Sequence, residues 1–250
     1  PFFFPQEWAG PEAFNQFFMR ISYVGDCNIP VLKEELIAVL PHDASVDIIP
    51  PALKRVVLLV TKEHHCLGDL LIRSQFQDLP FQIDAVIGNH AILQGLCEQF
   101  KMPFHLISAD GLSREAHEKL VESQIEAYSP DYIVLAKYMR ILTPAFSAKY
   151  LGRLINIHHS FLPAFVGAKP YQQAYDRGVK IIGATAHFVT DDLDEGPIIC
   201  QDVVAVNHTY SAKEMAKAGK DVEKIVLANA LKMVFEDRVF MHRNKTILFD

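Results

Sequence analysis

An amide and an imidazole lie two positions apart at the end of an apolar segment. The segment runs Ile155-Asn156-Ile157-His158, and its apolar residues favour a β-strand. Side chains at positions i and i+2 of a strand point to the same side, so Asn156 and His158 would reach one small volume. Two N–H groups aimed together can stabilise the oxyanion that forms when a nucleophile adds to a carbonyl. The alternative is that both are ordinary hydrogen-bonded polar groups at a strand end.

A second polar segment, residues 190–196, carries four carboxylates and ends in Gly196. It separates two segments of strand character, and the glycine would let the backbone turn sharply. We expect Asp194 to be the carboxylate that lies near His158, where it would orient the ring and favour its protonated form. The alternatives are a solvated acidic turn or a divalent-cation site, although the segment lacks the full spacing and the terminal Glu of a calcium loop.

The other histidines give no comparable pattern. His64, His65 and Cys66 could suggest a metal site, but adjacent residues of a strand point apart and no second ligand pair follows at a suitable spacing, so we predict no metal. His187, on the predicted strand before the acidic segment, is either a core or a site residue. The four cysteines are widely spaced, which indicates reduced thiols rather than a disulfide framework.

Apolar runs that alternate with helical segments predict a parallel sheet covered on both faces. The five strand candidates in this part are Val56–Val60, Ile83–Ile87, Phe104–Ile107, Tyr132–Ala136 and Leu154–Ile157. The helical segments lie near Leu67–Gln75, Ala91–Phe100, Arg114–Tyr128 and after Thr143-Pro144. Further along, we predict two neighbouring strands, at Lys180–Val189 and Ile198–Val206. A capping box at Ser211–Glu214 then predicts the start of a long helix. The polar pair at 156 and 158 then lies at the carboxyl edge of the sheet, where open α/β sheets bind ligands.

The first 50 residues have a different character, with two basic and seven acidic side chains. They predict a β-α-β fragment with a strand within Gln16–Tyr23, a helix over Val31–Leu40 and a strand over Ser45–Ile49. Pro50-Pro51 would form a hinge between a domain of residues 1–50 and a domain of residues 51–250. Because so small a unit could hardly bury its own apolar face, we expect part of this first domain to be absent from the sequence.

The charge and the hydropathy of the sequence indicate which class of molecule the protein binds. A formal net charge of -6 without a Lys/Arg cluster disfavours nucleic acid, so a small molecule is the expected partner. The longest aliphatic run, Val56–Val60, is far shorter than the roughly 20 residues that cross a bilayer. With no signal peptide visible, we expect a cytoplasmic protein that does not associate with membranes.

Three segments together resemble the folate-dependent formyltransferase family. They are NIHHSFLP at residues 156–163, DLDEGPII at residues 192–199 and LAKYMRILTP at residues 135–144. The resemblance is collinear over residues 55–250 and is strongest to the branch that hydrolyses 10-formyltetrahydrofolate to formate and tetrahydrofolate, supplying formate for one-carbon and purine metabolism. It implies an α/β, Rossmann-like formyltransferase fold with a mostly parallel sheet flanked by helices.

The resemblance also implies roles for particular residues. Asn156, His158 and Asp194 would be the catalytic trio, with the formyl group between them. The folate would bind mostly through backbone groups of two segments and through two further side chains. These substrate-binding positions are Met139, Arg140, Ile141 and Leu142, then Thr190 and Asp191, then His187, and finally Arg114 at the acidic tail of the folate.

Relatives of this kind carry an N-terminal ACT domain, a ferredoxin-like α+β fold that binds amino-acid effectors. Residues 13–50 fit only the latter part of that pattern, so the resemblance implies a partial ACT domain here. Because ACT modules commonly pair edge to edge, a homo-oligomer is expected. No cofactor is expected beyond the folate substrate.

The formyl acceptor is the remaining question. A transferase to glycinamide ribonucleotide would need a glycine-rich phosphate cradle after the first strand of the second domain. This chain has the bulky segment Thr61–Gly68, with Glu63 inside it, at that place. Water is therefore the expected acceptor, with Asn156 and His158 stabilising the tetrahedral intermediate and Asp194 helping to move protons. An amine acceptor is the alternative, and the sequence leaves open whether His158 acts as a base or as a charged donor.

Overall fold

The computed structural model describes residues 6–8, 17–164 and 170–249. The chain divides into two compact units. One consists of residues 1–52 with 247–250, and the other of residues 53–246. The second unit contains all of the residues predicted above to do chemistry.

The described residues of the first unit form a short antiparallel strand pair and one helix, namely β1 (Gln6–Trp8), β2 (Phe18–Arg20) and α1 (Ile29–Val39). The Asn28 side chain caps α1 by accepting a hydrogen bond from the Val31 backbone N–H. The helix expected over residues 31–40 is thus confirmed, as is a strand within residues 16–23. The strand expected over Ser45–Ile49 is wrong, because no described strand pairs with this segment and a strand needs partners for its backbone N–H and C=O groups.

The second unit is built on a seven-stranded sheet. Its strands are β3 (Lys54–Val60), β4 (Phe81–Gly88), β5 (Phe104–Leu106), β6 (Tyr132–Leu135), β7 (Leu154–His158), β8 (Ile181–Phe188) and β9 (Ile198–Ala205). Their order is β5-β4-β3-β6-β7-β8-β9, and the first five are mutually parallel. Strands β8 and β9 run antiparallel to their neighbours. The predicted mostly parallel sheet is confirmed.

Helices connect and cover these strands. They are α2 (His65–Gln75), α3 (Gln94–Gln99, after a 3-10 turn at Ala91–Leu93), α4 (Arg114–Tyr128), α5 (Pro144–Lys149), α6 (Pro170–Asp176) and α7 (Ala212–Phe235). A separate two-stranded sheet follows, formed by β10 (Val239–His242) and β11 (Lys245–Leu248). Helix α6 and this small sheet were not anticipated from the sequence. Within the described residues, no helix combines the length and the apolar character needed to cross a membrane.

Strand β3 shows why its apolar run is continuous rather than alternating. Val56, Leu58 and Val60 face one apolar cluster with α2 and α7, while Val57 and Leu59 face the other with α4 and α5. All five side chains are fully buried. A strand covered on both faces has no solvent side, so every position is apolar.

The helix starts follow the capping chemistry expected from the sequence. The Ser211 hydroxyl accepts from the backbone N–H of Glu214, whose carboxylate in turn accepts from the Ser211 N–H, which completes the predicted capping box of α7. The Thr143 side chain caps α5 ahead of Pro144 by accepting a hydrogen bond from the Phe146 backbone N–H. These caps fix where α5 and α7 begin relative to the sheet.

The strand order creates the crevice in which a ligand can bind. Strand β4 lies on one side of β3 and β6 lies on the other, so the chain reverses its direction of travel across the sheet between them. In open α/β sheets, such a switch point leaves a crevice at the carboxyl ends of the strands. The ends of β6 and β7 adjoin this crevice, and β7 ends at His158.

Candidate active site

A cavity of about 330 Å³ lies at the carboxyl ends of β6 and β7. The segment after β6, the end of β7 and the connection between β8 and β9 form its walls. Ten of the eleven side chains singled out from the sequence line it, namely Met139, Arg140, Ile141, Leu142, Asn156, His158, His187, Thr190, Asp191 and Asp194. The structure therefore brings residues from three separate segments to one place.

Asn156 is held by its neighbour across the sheet. It pairs in register with His187 of β8, and its Nδ2 donates a hydrogen bond to His187 Nε2 at 3.2 Å. The other ring nitrogen of His187, Nδ1, donates to the Phe188 carbonyl at 2.9 Å. Burial lowers the pKa of His187 and keeps the ring neutral, so Nε2 serves as an acceptor. This arrangement orients the Asn156 amide and leaves its second N–H for another partner.

His158 and Asp194 form the second pair of the site. His158 Nδ1 lies 3.3 Å from Asp194 Oδ1, and both side chains are largely buried. Burial opposes the ionised form of Asp194, but the hydrogen bond from His158 and the electrostatic attraction of the neighbouring histidines outweigh it and lower the pKa of this carboxyl. In the described part of the chain, His158 Nε2 is buried and has no hydrogen-bond partner. A buried, unpaired nitrogen in a cavity is positioned to bond a ligand.

The connection between β8 and β9 depends on a glycine to place Asp194. Asp194 adopts a left-handed backbone with φ of 58°, and Gly196 follows two residues later. A Cβ atom on Gly196 would lie 1.8 Å from the Phe188 carbonyl oxygen. The connection thus passes too close to the end of β8 for any other residue.

The segment after β6 forms an apolar mouth to the cavity. The Met139 backbone N–H donates to Thr61 Oγ1 at 2.9 Å, which ties the segment to the end of β3. Met139, Ile141 and Leu193 are each more than half exposed at this mouth. Exposed apolar side chains that border a cavity suit a flat, partly apolar ligand.

Arg114 is the one predicted site residue that does not line the cavity. It is the first residue of α4 and is exposed. Its role at the acidic tail of the folate remains a prediction.

Sequence reasoning missed a cluster around Glu223 of α7. His65 Nε2 donates to Glu223 Oε2 at 2.7 Å, the Lys137 Nζ lies 3.1 Å from the same oxygen, and the Tyr171 hydroxyl donates to Oε1 at 2.6 Å. We call His65, Lys137, Tyr171 and Glu223 the Glu223 cluster. Burial opposes the ionised form of Glu223, but its three partners outweigh it and lower its pKa to about 2. A buried glutamate within a helical pattern gives no sequence signal of its partners, which lie far away in the chain.

The prediction against a metal site placed His65 and Cys66 on a strand. His65 and Cys66 lie in the first turn of α2, not on a strand, and their potential ligand atoms lie within 4.8 Å of those of Glu223. A metal ion there would have to displace Lys137, and burial raises the pKa of the Cys66 thiol, which disfavours the metal-binding thiolate. We therefore describe the group as a hydrogen-bonded ion cluster.

Comparisons with known proteins place this geometry in a family. A family model described as formyl transferase matches residues 54–231. The formyltetrahydrofolate deformylase of Haemophilus influenzae is 56% identical over 232 residues, which cover 93% of this chain and 84% of the relative. The deformylase of Bacillus subtilis is 50% identical over 79% of this chain and 66% of the relative.

Solved structures of related enzymes are also similar to this chain. A formyltetrahydrofolate deformylase from Pseudomonas putida covers 98% of this chain and 89% of its own, at 35% identity and a TM-score of 0.88. A glycinamide ribonucleotide transformylase from Symbiobacterium toebii has 27% identity and a TM-score of 0.76 over 79% of this chain and 95% of its own. The chain belongs to the formyl transferase family, and within it to the formyltetrahydrofolate deformylases.

Proposed function

We propose that the protein hydrolyses 10-formyltetrahydrofolate to formate and tetrahydrofolate, with Asn156, His158 and Asp194 acting on the formyl group. One observation carries these roles: the buried His158 Nε2 has no partner in the described structure, while Nδ1 faces Asp194 and the Asn156 amide lines the same cavity. This combination supplies a base, an orienting carboxylate and an amide donor for an oxyanion.

The reaction begins when water adds to the formyl carbon. His158 Nε2 takes a proton from the attacking water, and the formyl oxygen becomes an oxyanion that the free Asn156 N–H stabilises. The imidazolium then donates its Nε2–H, first as a further hydrogen bond to the oxyanion and then as the proton delivered to N10. The bond between the carbon and N10 breaks, so one donor molecule and one water give tetrahydrofolate, formate and one proton. No cofactor enters this sequence.

Asp194 supports both stages. Its carboxylate accepts from His158 Nδ1, which leaves Nε2 as the acceptor for the proton of the water and stabilises the imidazolium that follows. The lowered pKa of Asp194 keeps this carboxylate charged at neutral pH. His187 contributes indirectly, by orienting the amide of Asn156.

The folate is proposed to lie along the apolar mouth of the cavity. Its ring system would contact Met139, Ile141 and the backbone between residues 139 and 142, while residues 190–194 would close over its other side. Exposed apolar side chains and a tethered backbone at this mouth support the placement. We retain Arg114 as a candidate partner of the acidic tail.

Water is favoured over an amine as the acceptor. The deformylase of Haemophilus influenzae is 56% identical to this chain, whereas the ribonucleotide transformylase structure from Symbiobacterium toebii is 27% identical. The segment after β3 carries Glu63, His64 and His65 rather than small residues, and His65 is already bonded to Glu223. These bulky groups leave no glycine-rich turn for a phosphate.

Isotope labelling tests the reaction directly. Incubation with 10-formyltetrahydrofolate in ¹⁸O-enriched water and no amine should yield formate with one labelled oxygen, because the new carboxylate oxygen comes from water. A parallel incubation with glycinamide ribonucleotide tests the alternative. Formation of formylated amine in place of labelled formate would refute hydrolysis as the activity.

We further propose that the first unit is a partial ACT-like domain that binds an amino-acid effector, and that the protein is a homo-oligomer. The resemblance to the deformylases supports the assignment of the first unit. The 232 aligned residues exceed the length of the second unit, so the alignment also includes part of the first unit. Formate release in the presence of a panel of amino acids, together with mass measurement by light scattering, tests both parts. Uniform rates across the panel would argue against an effector, and a monomeric mass would refute the oligomer.

The compartment is proposed to be the cytoplasm, where the product formate would feed one-carbon and purine metabolism. The four cysteines are unpaired thiols, as expected in a reducing compartment. Cell fractionation with an antibody to the protein would check this location.

A further inference from the structure

A lysine that the mechanism does not use lies in the wall of the active-site cavity. Lys137 lines the same cavity as Asn156 and His158, and the residue is only 6% exposed. It follows β6 by two positions and adopts a left-handed backbone with φ of 65°. Non-glycine residues rarely adopt this conformation, and where they do the surrounding structure has to hold them there.

The ammonium group is fixed by a buried carboxylate. Lys137 Nζ lies 3.1 Å from Glu223 Oε2, and the Glu223 side chain is 1% exposed. Glu223 is itself oriented by His65 and Tyr171, so its position does not depend on Lys137 alone. Among residues 17–164 and 170–249, Glu223 is the only ion-pair partner found for this ammonium, which has three N–H donors.

The charges around the cavity make such a cation useful. Asp191, Asp192 and Asp194 all line the cavity, and they would repel an anion formed there. Two cationic side chains line it as well, but Arg140 is only partly buried in the segment after β6, whereas Lys137 is buried. A buried ammonium attracts an anion more strongly than an exposed one, because less water screens it.

We infer that Lys137, held by Glu223, is the binding group for the small carboxylate that the reaction releases. This inference rests on the proposed hydrolysis, in which the formyl carbon leaves as formate. As the bond between carbon and N10 breaks, the negative charge settles on the two carboxylate oxygens. The Lys137 ammonium then donates a hydrogen bond to one of them and offsets the repulsion from the aspartates.

Binding of ¹³C-labelled sodium formate to the resting protein tests this inference without any turnover. The titration follows the formate signal by NMR at constant ionic strength. Lys137→Met removes the charge at nearly the same side-chain length, and Lys137→Met with Glu223→Gln removes both charges in case an unpaired Glu223 disturbs the fold. Lys224→Met is the matched control, since Lys224 is the next residue on α7 and pairs with Asp221 at the surface.

We expect formate to bind about 10-fold or more weakly to both Lys137 variants, and as in the wild type to Lys224→Met. Inhibition of turnover by added formate should weaken in parallel. Equal formate affinity of the wild type and the two Lys137 variants would overturn the inference, and so would loss of binding in Arg140→Met alone. The labelling experiment in ¹⁸O-enriched water reports separately on the reaction, so Lys137-dependent formate binding without labelled formate would refute the hydrolysis and leave the anion site standing.

Discussion

The role of each histidine in this site depends on the partner of one of its two ring nitrogens, because that partner decides what the other nitrogen can do. His187 is neutral because burial lowers its pKa, and its Nδ1–H is committed to the Phe188 carbonyl. Its Nε2 is therefore left to accept from Asn156. His158 has the same ring but faces Asp194, so its free nitrogen is available to the substrate.

Replacing His187 tests whether it positions the amide. We expect His187→Leu to lower kcat by about 10-fold, because the Asn156 amide loses its acceptor and only part of its oxyanion stabilisation remains. His187→Gln should recover part of the loss, since a side-chain oxygen can accept the same hydrogen bond. Steady-state formate release measures both variants. Equal rates for the Leu and Gln variants would show that the hydrogen bond to Asn156 is unimportant.

The sequence predicted much of this residue-level arrangement. Asn156, His158 and Asp194 were identified from strand periodicity, from the acidic segment and from the family resemblance, and the structure places them around one cavity. The Glu223 cluster could not be found in this way. Its members come from α2, α6, α7 and the end of β6, and only the packing of α7 brings them together.

Among the elements that form the site, the connection between β8 and β9 has the strictest residue requirement, which is a glycine at position 196. We expect Gly196→Ala to lower the melting temperature by several degrees and to reduce activity, because the new Cβ would collide with the Phe188 carbonyl and displace Asp194. Gly95→Ala in α3 is the control, since its Cβ would meet no atom within 4 Å. That variant should gain up to about 1 kcal/mol in its free energy of unfolding. Thermal melts measure both variants. Equal changes in melting temperature for Gly196→Ala and Gly95→Ala would show that the close approach at Gly196 does not matter.

The sequence predicts those helices and strands whose burial or capping is visible in the local residue pattern. The buried strands and the capping box of α7 follow from local residue types. Helix α6 and the sheet of β10 and β11 were missed because each is short. The strand expected over Ser45–Ile49 failed for a different reason, since pairing depends on a neighbouring edge that a local pattern does not contain.

At the scale of the whole molecule, buried groups couple stability to pH. Burial, together with the charge of Lys137, lowers the pKa of His159 from 6.5 to about 4, so the folded protein resists protonation there. Between these values the unfolded chain binds more protons, so stability is full above pH 6.5 and falls as the pH drops toward 4. Glu223 acts in the same direction at lower pH, because its pKa of about 2 lies below the ordinary value of 4.5.

Chemical unfolding across this range measures the effect. We expect the free energy of unfolding to fall by up to about 3 kcal/mol from His159 alone between pH 6.5 and pH 4. The variant His159→Gln lacks this titration, so its stability should decline less steeply over the same window. A parallel decline of the wild type and the variant would show that His159 does not carry the dependence.

The rate of formate release by Asp194→Asn tests whether the His158–Asp194 pair hydrolyses the formyl group. Glu195→Gln is the matched control, because Glu195 is adjacent, exposed and absent from the cavity lining. We predict that Asp194→Asn lowers kcat by about 100-fold or more, while Glu195→Gln stays within about 3-fold of the wild type. A kcat for Asp194→Asn close to that of the wild type would contradict the account.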